Sequence, residues 1–147
     1  MLWPLELAGL GACLAINAYR TLKSLYFDIT VEEDDFDPLC DLSRELRFIA
    51  GKNILEMLEL ELFVRLEIED IEDNASFQTV SEEWSAFDSI LTESGAFPML
   101  HQVSVAIWWE TMDLDEMNLF METLKKDKFP RLVKSKAVEF NFSSSNL

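Results

Sequence analysis

The chain has 147 residues, 49% of them hydrophobic and 27% charged, a balance typical of one globular domain rather than of a disordered chain. Its formal net charge of −16 argues against nucleic acids and anionic membranes as the main binding targets. Two cysteines do not make a disulfide framework in a chain of this size, which favours a reducing compartment, the cytoplasm or the nucleus.

The first predicted element is an apolar helix within residues 1–21. Arg20 is the first basic residue, and Glu6 interrupts the apolar run, so a signal peptide or membrane anchor through residues 1–19 is the less favoured alternative. That alternative describes a secreted or anchored acidic protein, in which Asn74 and Asn141 match the glycosylation pattern.

Four strands are predicted farther along the chain, because apolar side chains occupy every second position. They cover residues 22–30, 57–69, 100–108 and 137–142. The second of them, MLELELFVRLEIE, has the longest alternation, with a largely acidic polar face. Each strand is therefore expected to have one buried face and one solvated face.

Three helices are predicted between these strands, over residues 37–51, 81–95 and 113–128. They share start and stop signals, namely a capping oxygen or a proline at the start and a glycine or several lysines at the end. Residues 70–80 are predicted to form a loop, and residues 144–147 a frayed tail.

The order of these elements predicts a parallel sheet, since each helix must carry the chain back along it. Because only one face of each strand is apolar, all helices are expected on that face. The pattern L-x-x-L-x-L starts at Leu22, Leu55 and Leu100 and is the strand signature of leucine-rich repeats. The predicted fold class is α/β, a leucine-rich-repeat-like β/α solenoid of about four parallel strands with helices on one face, in a single irregular domain over residues 1–147 whose repeats span residues 22–143.

Residues with the potential for chemistry do not form a recognisable catalytic or metal site. His101 is the only histidine, and Cys13 and Cys40 are distant from it in sequence, so neither a catalytic base nor a zinc site is predicted. The acidic runs 32–35 and 67–73 lack the glycine and spacing of a calcium loop, and no glycine-rich phosphate loop is present. We expect no enzyme activity, no cofactor and no metal.

The candidate binding site is the outward face of the strands. Its predicted members are carboxylates, small polar residues and aromatic residues: Tyr26, Asp28, Glu59, Glu61, Phe63, Ser104, Ala106, Trp108, Glu139 and Asn141. Exposed aromatic side chains among carboxylates suit a basic, partly apolar segment of another protein. The alternative is an ordinary solvated sheet face on a structural remnant or truncated copy with no dedicated partner.

Several motifs, taken in order, resemble a known family. The helix EEWSAFD is followed by the exit SGAFPML, and KFPRLVKSKAVEFNF comes near the end of the chain. Over roughly residues 20–143 the chain resembles the C-terminal, leucine-rich-repeat-like region of fungal (basidiomycete-type) F-box proteins. The resemblance implies a substrate receptor of a ubiquitin ligase, whose repeats hold a target while an F-box binds the ligase adaptor. Residues 1–21 carry no F-box pattern, so adaptor binding is expected only if an F-box lies upstream.

Overall fold

The protein is described by a computed structural model over residues 9–17, 20–31, 42–64, 75–109 and 114–146. Strands and helices alternate through most of these residues. In chain order the elements are α1 (Leu10–Asn17), β1 (Ser24–Val31), α2 (Leu42–Arg47), β2 (Met57–Val64), α3 (Ala75–Thr92), β3 (Gln102–Trp109), α4 (Leu114–Lys128), α5 (Pro130–Lys134) and β4 (Glu139–Asn146).

The four strands form one sheet in the order β1-β2-β3-β4, and every neighbouring pair is parallel. One register aligns all of them, so that Leu25, Leu58, Val103 and Phe140 are adjacent. Parallel neighbours need a crossover connection, which α2, α3 and the pair α4–α5 supply in turn. The predictions of an α/β fold and of a parallel four-stranded sheet are confirmed.

One face of this sheet lies in the hydrophobic core. Its fully buried residues include Leu58, Leu60 and Leu62 of β2 and Val103 and Val105 of β3. They form a single cluster with buried residues of the helices, among them Leu42, Leu46, Trp84, Phe87, Leu91, Met121, Leu124 and Leu132. The alternate residues of the strands, where their side chains are described, are all exposed or only partly buried. The predicted alternation of one buried and one solvated face is therefore confirmed.

Phe129 is the centre of the aromatic packing between the helices and β4. Its side chain is fully buried, and its ring lies 5.2 Å from that of Trp84 and 6.3 Å from that of Phe87, both near-perpendicular. The rings of Phe140 and Phe142 lie 5.2 and 5.6 Å away on the strand side. Such tilted and edge-to-face arrangements suit the charge distribution of aromatic rings. Phe129 thus joins α3 to β4 across the core.

Two buried carboxylates hold the starts of helices. Asp88 of α3 accepts hydrogen bonds from the backbone N–H groups of Arg131 and Leu132, at 3.1 and 2.8 Å, in the first turn of α5. Burial raises the pKa of Asp88, although these two bonds oppose the shift. Glu45 of α2 accepts a hydrogen bond of 2.9 Å from the N–H of Gly11 in α1. Both carboxylates satisfy donors that a helix leaves unpaired.

Gly11 allows α1 to lie directly on α2. A Cβ atom at this position would overlap the backbone carbonyl of Glu45, and the contact is with backbone rather than with a flexible side chain. The close approach of the two helices therefore requires a glycine here.

The turns that precede β2 and β3 are bonded to each other. The N–H of Gly51 donates to the carbonyl of Ala96 at 2.7 Å, and the buried Asn53 side chain donates to the same carbonyl at 2.9 Å. Asn53 also accepts a hydrogen bond from the N–H of Leu55 at 3.2 Å. Gly51 and Gly95 have φ values of +76° and +79°, which fits their predicted place after a helix.

The prediction of a loop over residues 70–80 is wrong for residues 75–80, which belong to α3. Phe77, Val80 and Trp84 are spaced as i, i+3 and i+7 in the sequence, so the helical pattern begins before Ser81. Ser81 lies inside the helix, and the predicted cap at this residue is also wrong.

The C-terminal part of the chain differs from prediction in two respects. Residues 130–134 form α5, a short helix that the prediction missed although Pro130 suits a first helical turn. β4 begins at Glu139 rather than at residue 137 and continues to Asn146, where a frayed tail was expected. Its Ser-rich end pairs with Ala106–Trp109 through the backbone, which needs no particular side chain.

Other predictions fall outside the described residues. These are the helix start near Asp37, the strand extension over residues 65–69, the helix start at Asp113, the acidic runs and the segment 1–8. Within the described residues, no helix combines the length and the apolar character that a membrane crossing requires.

Candidate binding surface on the open sheet face

The solvated face of the sheet is built from four rows of side chains, and we call this surface the open face. From β1 to β4 the rows are Ser24-Met57-Gln102-Glu139, Tyr26-Glu59-Ser104-Asn141, Asp28-Glu61-Ala106-Ser143 and Thr30-Phe63-Trp108-Ser145. All ten residues predicted for the outward face of the strands lie in these rows. The structure therefore brings the whole predicted set onto one surface.

The open face carries charge of one sign only. Its rows contain four carboxylates, Asp28, Glu59, Glu61 and Glu139, and no lysine, arginine or histidine. Asp28 and Glu61 are in register on adjacent strands, which lie about 4.8 Å apart in a sheet. Like charges in such positions repel each other, and a cation from outside the chain would relieve that repulsion.

Tyr26 orients one of these carboxylates. Its hydroxyl donates a hydrogen bond of 2.8 Å to Oε2 of Glu61, across β1 and β2, while the tyrosine side chain remains 54% exposed. This hydrogen bond, together with desolvation and the charges of Glu61, Asp28 and Glu59, raises the pKa of Tyr26 to about 12. The phenol is therefore protonated at neutral pH and acts as a donor that restricts the Glu61 carboxylate.

A pair of aromatic rings lies in the row next to Glu61. The rings of Phe63 and Trp108, on adjacent strands, are stacked with centroids 6.3 Å apart and planes 11° from parallel. The indole Nε1 of Trp108 is inaccessible to solvent and has no hydrogen-bond partner among the described residues. Both side chains are partly exposed, so the pair forms an apolar part of an otherwise acidic surface.

The register between strands creates contacts that the sequence prediction did not include. The Tyr26–Glu61 hydrogen bond and the Phe63–Trp108 stack each join two strands, and Ala106 was named without a specific role. The signal that could have found them is the L-x-x-L-x-L pattern. Aligning its copies places Leu25 beside Leu58 and Val103, which is the register of the sheet.

Within the described part of the chain, the potential metal ligands do not cluster. No group of three or more His, Cys, Asp or Glu side chains is placed there to hold a metal ion. His101 is exposed immediately before β3, where its backbone N–H donates to the carbonyl of Glu56.

Comparisons with models of protein families, with curated proteins and with solved structures found no match for this chain. The open face is therefore the feature from which a function can be inferred.

Proposed function

We propose that the chain is a non-enzymatic protein-binding module whose open face binds a basic, partly apolar segment of another protein. The observation that carries this proposal is the separation of charge on the sheet. Within the described strands, four carboxylates and three partly or fully exposed aromatic side chains share the open face with no cation.

Complementary charge supports the choice of a basic partner. The formal net charge of −16 attracts cationic segments at long range, and the carboxylates of Asp28 and Glu61 then provide a local site for them. Tyr26, Phe63 and Trp108 add apolar area that a purely ionic surface lacks, and aromatic residues are frequent anchors in protein interfaces.

The same proposal includes a more specific fold. We propose that the chain is a leucine-rich-repeat-like solenoid whose binding side is the open face. The hydrogen bond between Gly51 and Ala96 supports it, because equivalent turns of successive helix–strand units are stacked. The resemblance to fungal F-box proteins extends the proposal to a substrate receptor of a ubiquitin ligase in the cytoplasm or nucleus. Contact with the ligase adaptor is proposed only together with an F-box segment upstream.

The test is a charge reversal on the open face. Glu59→Lys combined with Glu61→Lys should abolish the capture of partners from the native lysate, measured by quantitative mass spectrometry, because the site would then repel cations. The matched control is Glu122→Lys combined with Asp127→Lys, which makes the same charge change at exposed positions of α4.

Partners that bind the wild type and the control but not the reversed variant are then confirmed with purified proteins. Circular dichroism and thermal unfolding should show that all three proteins are folded. Equal capture by the reversed variant would refute the open face as the binding surface.

A further inference from the structure

We infer that the open face around Ala106 is a seat for an arginine side chain of the partner, in preference to a lysine. This inference deepens the proposed function and rests on it. It depends on three neighbouring features: an oriented carboxylate at Glu61, a small residue at Ala106 and a stacked aromatic pair at Phe63 and Trp108.

The carboxylate is held in place before any partner binds. The hydroxyl of Tyr26 donates to Oε2 of Glu61 at 2.8 Å, and an ionised carboxylate has lone pairs for several further donors. Asp28, on the other side of Glu61, strengthens the negative potential at this point. A partner's donor therefore meets a charge whose orientation is already restricted, so less side-chain entropy is lost on binding.

Ala106 provides the space. It is in register with Glu61 on one side and Ser143 on the other, and it precedes Trp108 by two residues on the same face of β3. Neighbouring strands are about 4.8 Å apart, and alternate residues along a strand about 6.6 Å apart. The backbone positions of Glu61 and Trp108 are thus both within reach of a long side chain whose end lies above the alanine methyl.

The aromatic pair discriminates between the two basic side chains. The rings of Phe63 and Trp108 are stacked on adjacent strands, and both side chains are partly exposed, so the pair leaves some aromatic surface for a ligand. A guanidinium is planar and weakly hydrated, and it can stack on aromatic rings while donating two parallel hydrogen bonds to a carboxylate. An ammonium is compact and strongly hydrated, so it gains from the carboxylate but much less from the rings.

A second copy of this chain is a weaker candidate for the occupant. Arg131 on α5 is exposed, with Lys134 one turn later on the same helix. However, two molecules with a formal net charge of −16 each repel at long range. A separate partner with a net positive segment does not meet this barrier.

The test uses two peptides with a glycine–serine background and uncharged termini. One carries three arginines, and the other carries three lysines at the same positions. Calorimetry with the full chain at low salt should give about tenfold tighter binding of the arginine peptide. Ala106→Leu, which fills the seat without changing charge, and Trp108→Leu should each lower arginine-peptide affinity to the level of the lysine peptide. Ser85→Leu, at an exposed position of α3 outside the open face, is the control and should leave it unchanged.

The outcomes separate the seat from the proposed function. Equal binding of both peptides, unaffected by Ala106→Leu but abolished by Glu59→Lys with Glu61→Lys, overturns the arginine seat and leaves the acidic binding face intact. Failure of both peptides to bind overturns the arginine seat. If the variant with Glu59→Lys and Glu61→Lys also captures the same partners from lysate as the wild type, the proposed function is overturned as well. Self-association of the chain that Ala106→Leu abolishes, seen by sedimentation, would assign the surface to a second copy and overturn the inferred partner.

Discussion

Tyr26 and Glu61 show how one hydrogen bond can organise a charged surface. The phenol donates to a carboxylate that has a second acid, Asp28, in register beside it. Without a donor, both carboxylates would be solvated independently and free to change rotamer. The hydrogen bond restricts one of them and leaves the repulsion between the two acids in place, a combination that favours binding over stability.

The first prediction concerns the titration of Tyr26. The chain has two tyrosines, so Tyr19→Phe leaves Tyr26 as the only one, and its tyrosinate absorbance can be followed directly. We expect a midpoint at about 12, above the ordinary value of 10.0, because the Glu61 carboxylate stabilises the protonated phenol.

The sign of the accompanying stability change follows from the raised pKa. The Tyr26–Glu61 hydrogen bond stabilises the fold fully below the unfolded-state pKa of 10.0, and this contribution is lost as the pH rises through about 12. Glu61→Gln should lower the midpoint, because the negative acceptor is gone. If Glu61→Gln leaves the titration midpoint of Tyr26 unchanged, and circular dichroism shows that the variant is folded, the hydrogen bond is contradicted.

At the scale of single elements, α5 illustrates a helix that its own sequence cannot stabilise. It has five residues, too few for independent helix formation, and its N-cap residue Phe129 provides no side-chain hydrogen bond. The acceptor comes instead from Asp88 of α3, 43 and 44 residues away in sequence from the two donors it binds. The insertion of Phe129 into the aromatic core then fixes the position of the helix start.

The second prediction is that Asp88→Ala lowers the free energy of unfolding by about 1–3 kcal/mol, because the buried N–H of Leu132 loses its acceptor. Asp88→Asn keeps one side-chain acceptor and should cost less. Urea unfolding followed by tryptophan fluorescence measures both. Ser85→Ala, at an exposed position one turn earlier on α3, is the control and should stay within about 0.5 kcal/mol of the wild type. A loss no larger than that of the control would show that Asp88 does not support α5.

At the scale of the whole molecule, the uneven placement of charge is the dominant physical feature. The core side of the sheet and the buried helix residues form one apolar cluster, whereas the open face, in the part that the structure describes, has acids without balancing bases. This arrangement costs stability at low ionic strength, because charges on the same surface are not screened from each other.

The third prediction tests this cost. Asp28→Asn should raise the free energy of unfolding by about 0.2–1 kcal/mol at low salt, because it removes the like charge in register with Glu61. The gain should disappear at molar salt, where the screening length falls to about 3 Å. Glu122→Gln on α4 also removes one acid and serves as the control, with little expected change. An equal gain at low and high salt would mean that repulsion on the open face is not its cause.

The strand pattern by itself determined the face that is buried and the face that is open. Side chains at alternate positions leave the backbone on opposite sides, so the leucines of β2 could be assigned to the core and Glu59 and Glu61 to solvent without knowledge of the fold. The parallel pairing followed from the alternation of strands and helices, and the L-x-x-L-x-L alignment contains the register of β1, β2 and β3.

Only the tertiary structure decided which residues serve the buried polar groups. Glu45, Asn53 and Asp88 bind backbone atoms 34, 43 and 44 residues away, and the short α5 and the end of β4 differ from the local pattern. The local periodicity of the sequence shows which face of a strand is polar, because each residue's contribution to that pattern does not depend on distant parts of the chain. The partner of a buried acceptor depends on how distant segments pack, and no short stretch of sequence contains that information.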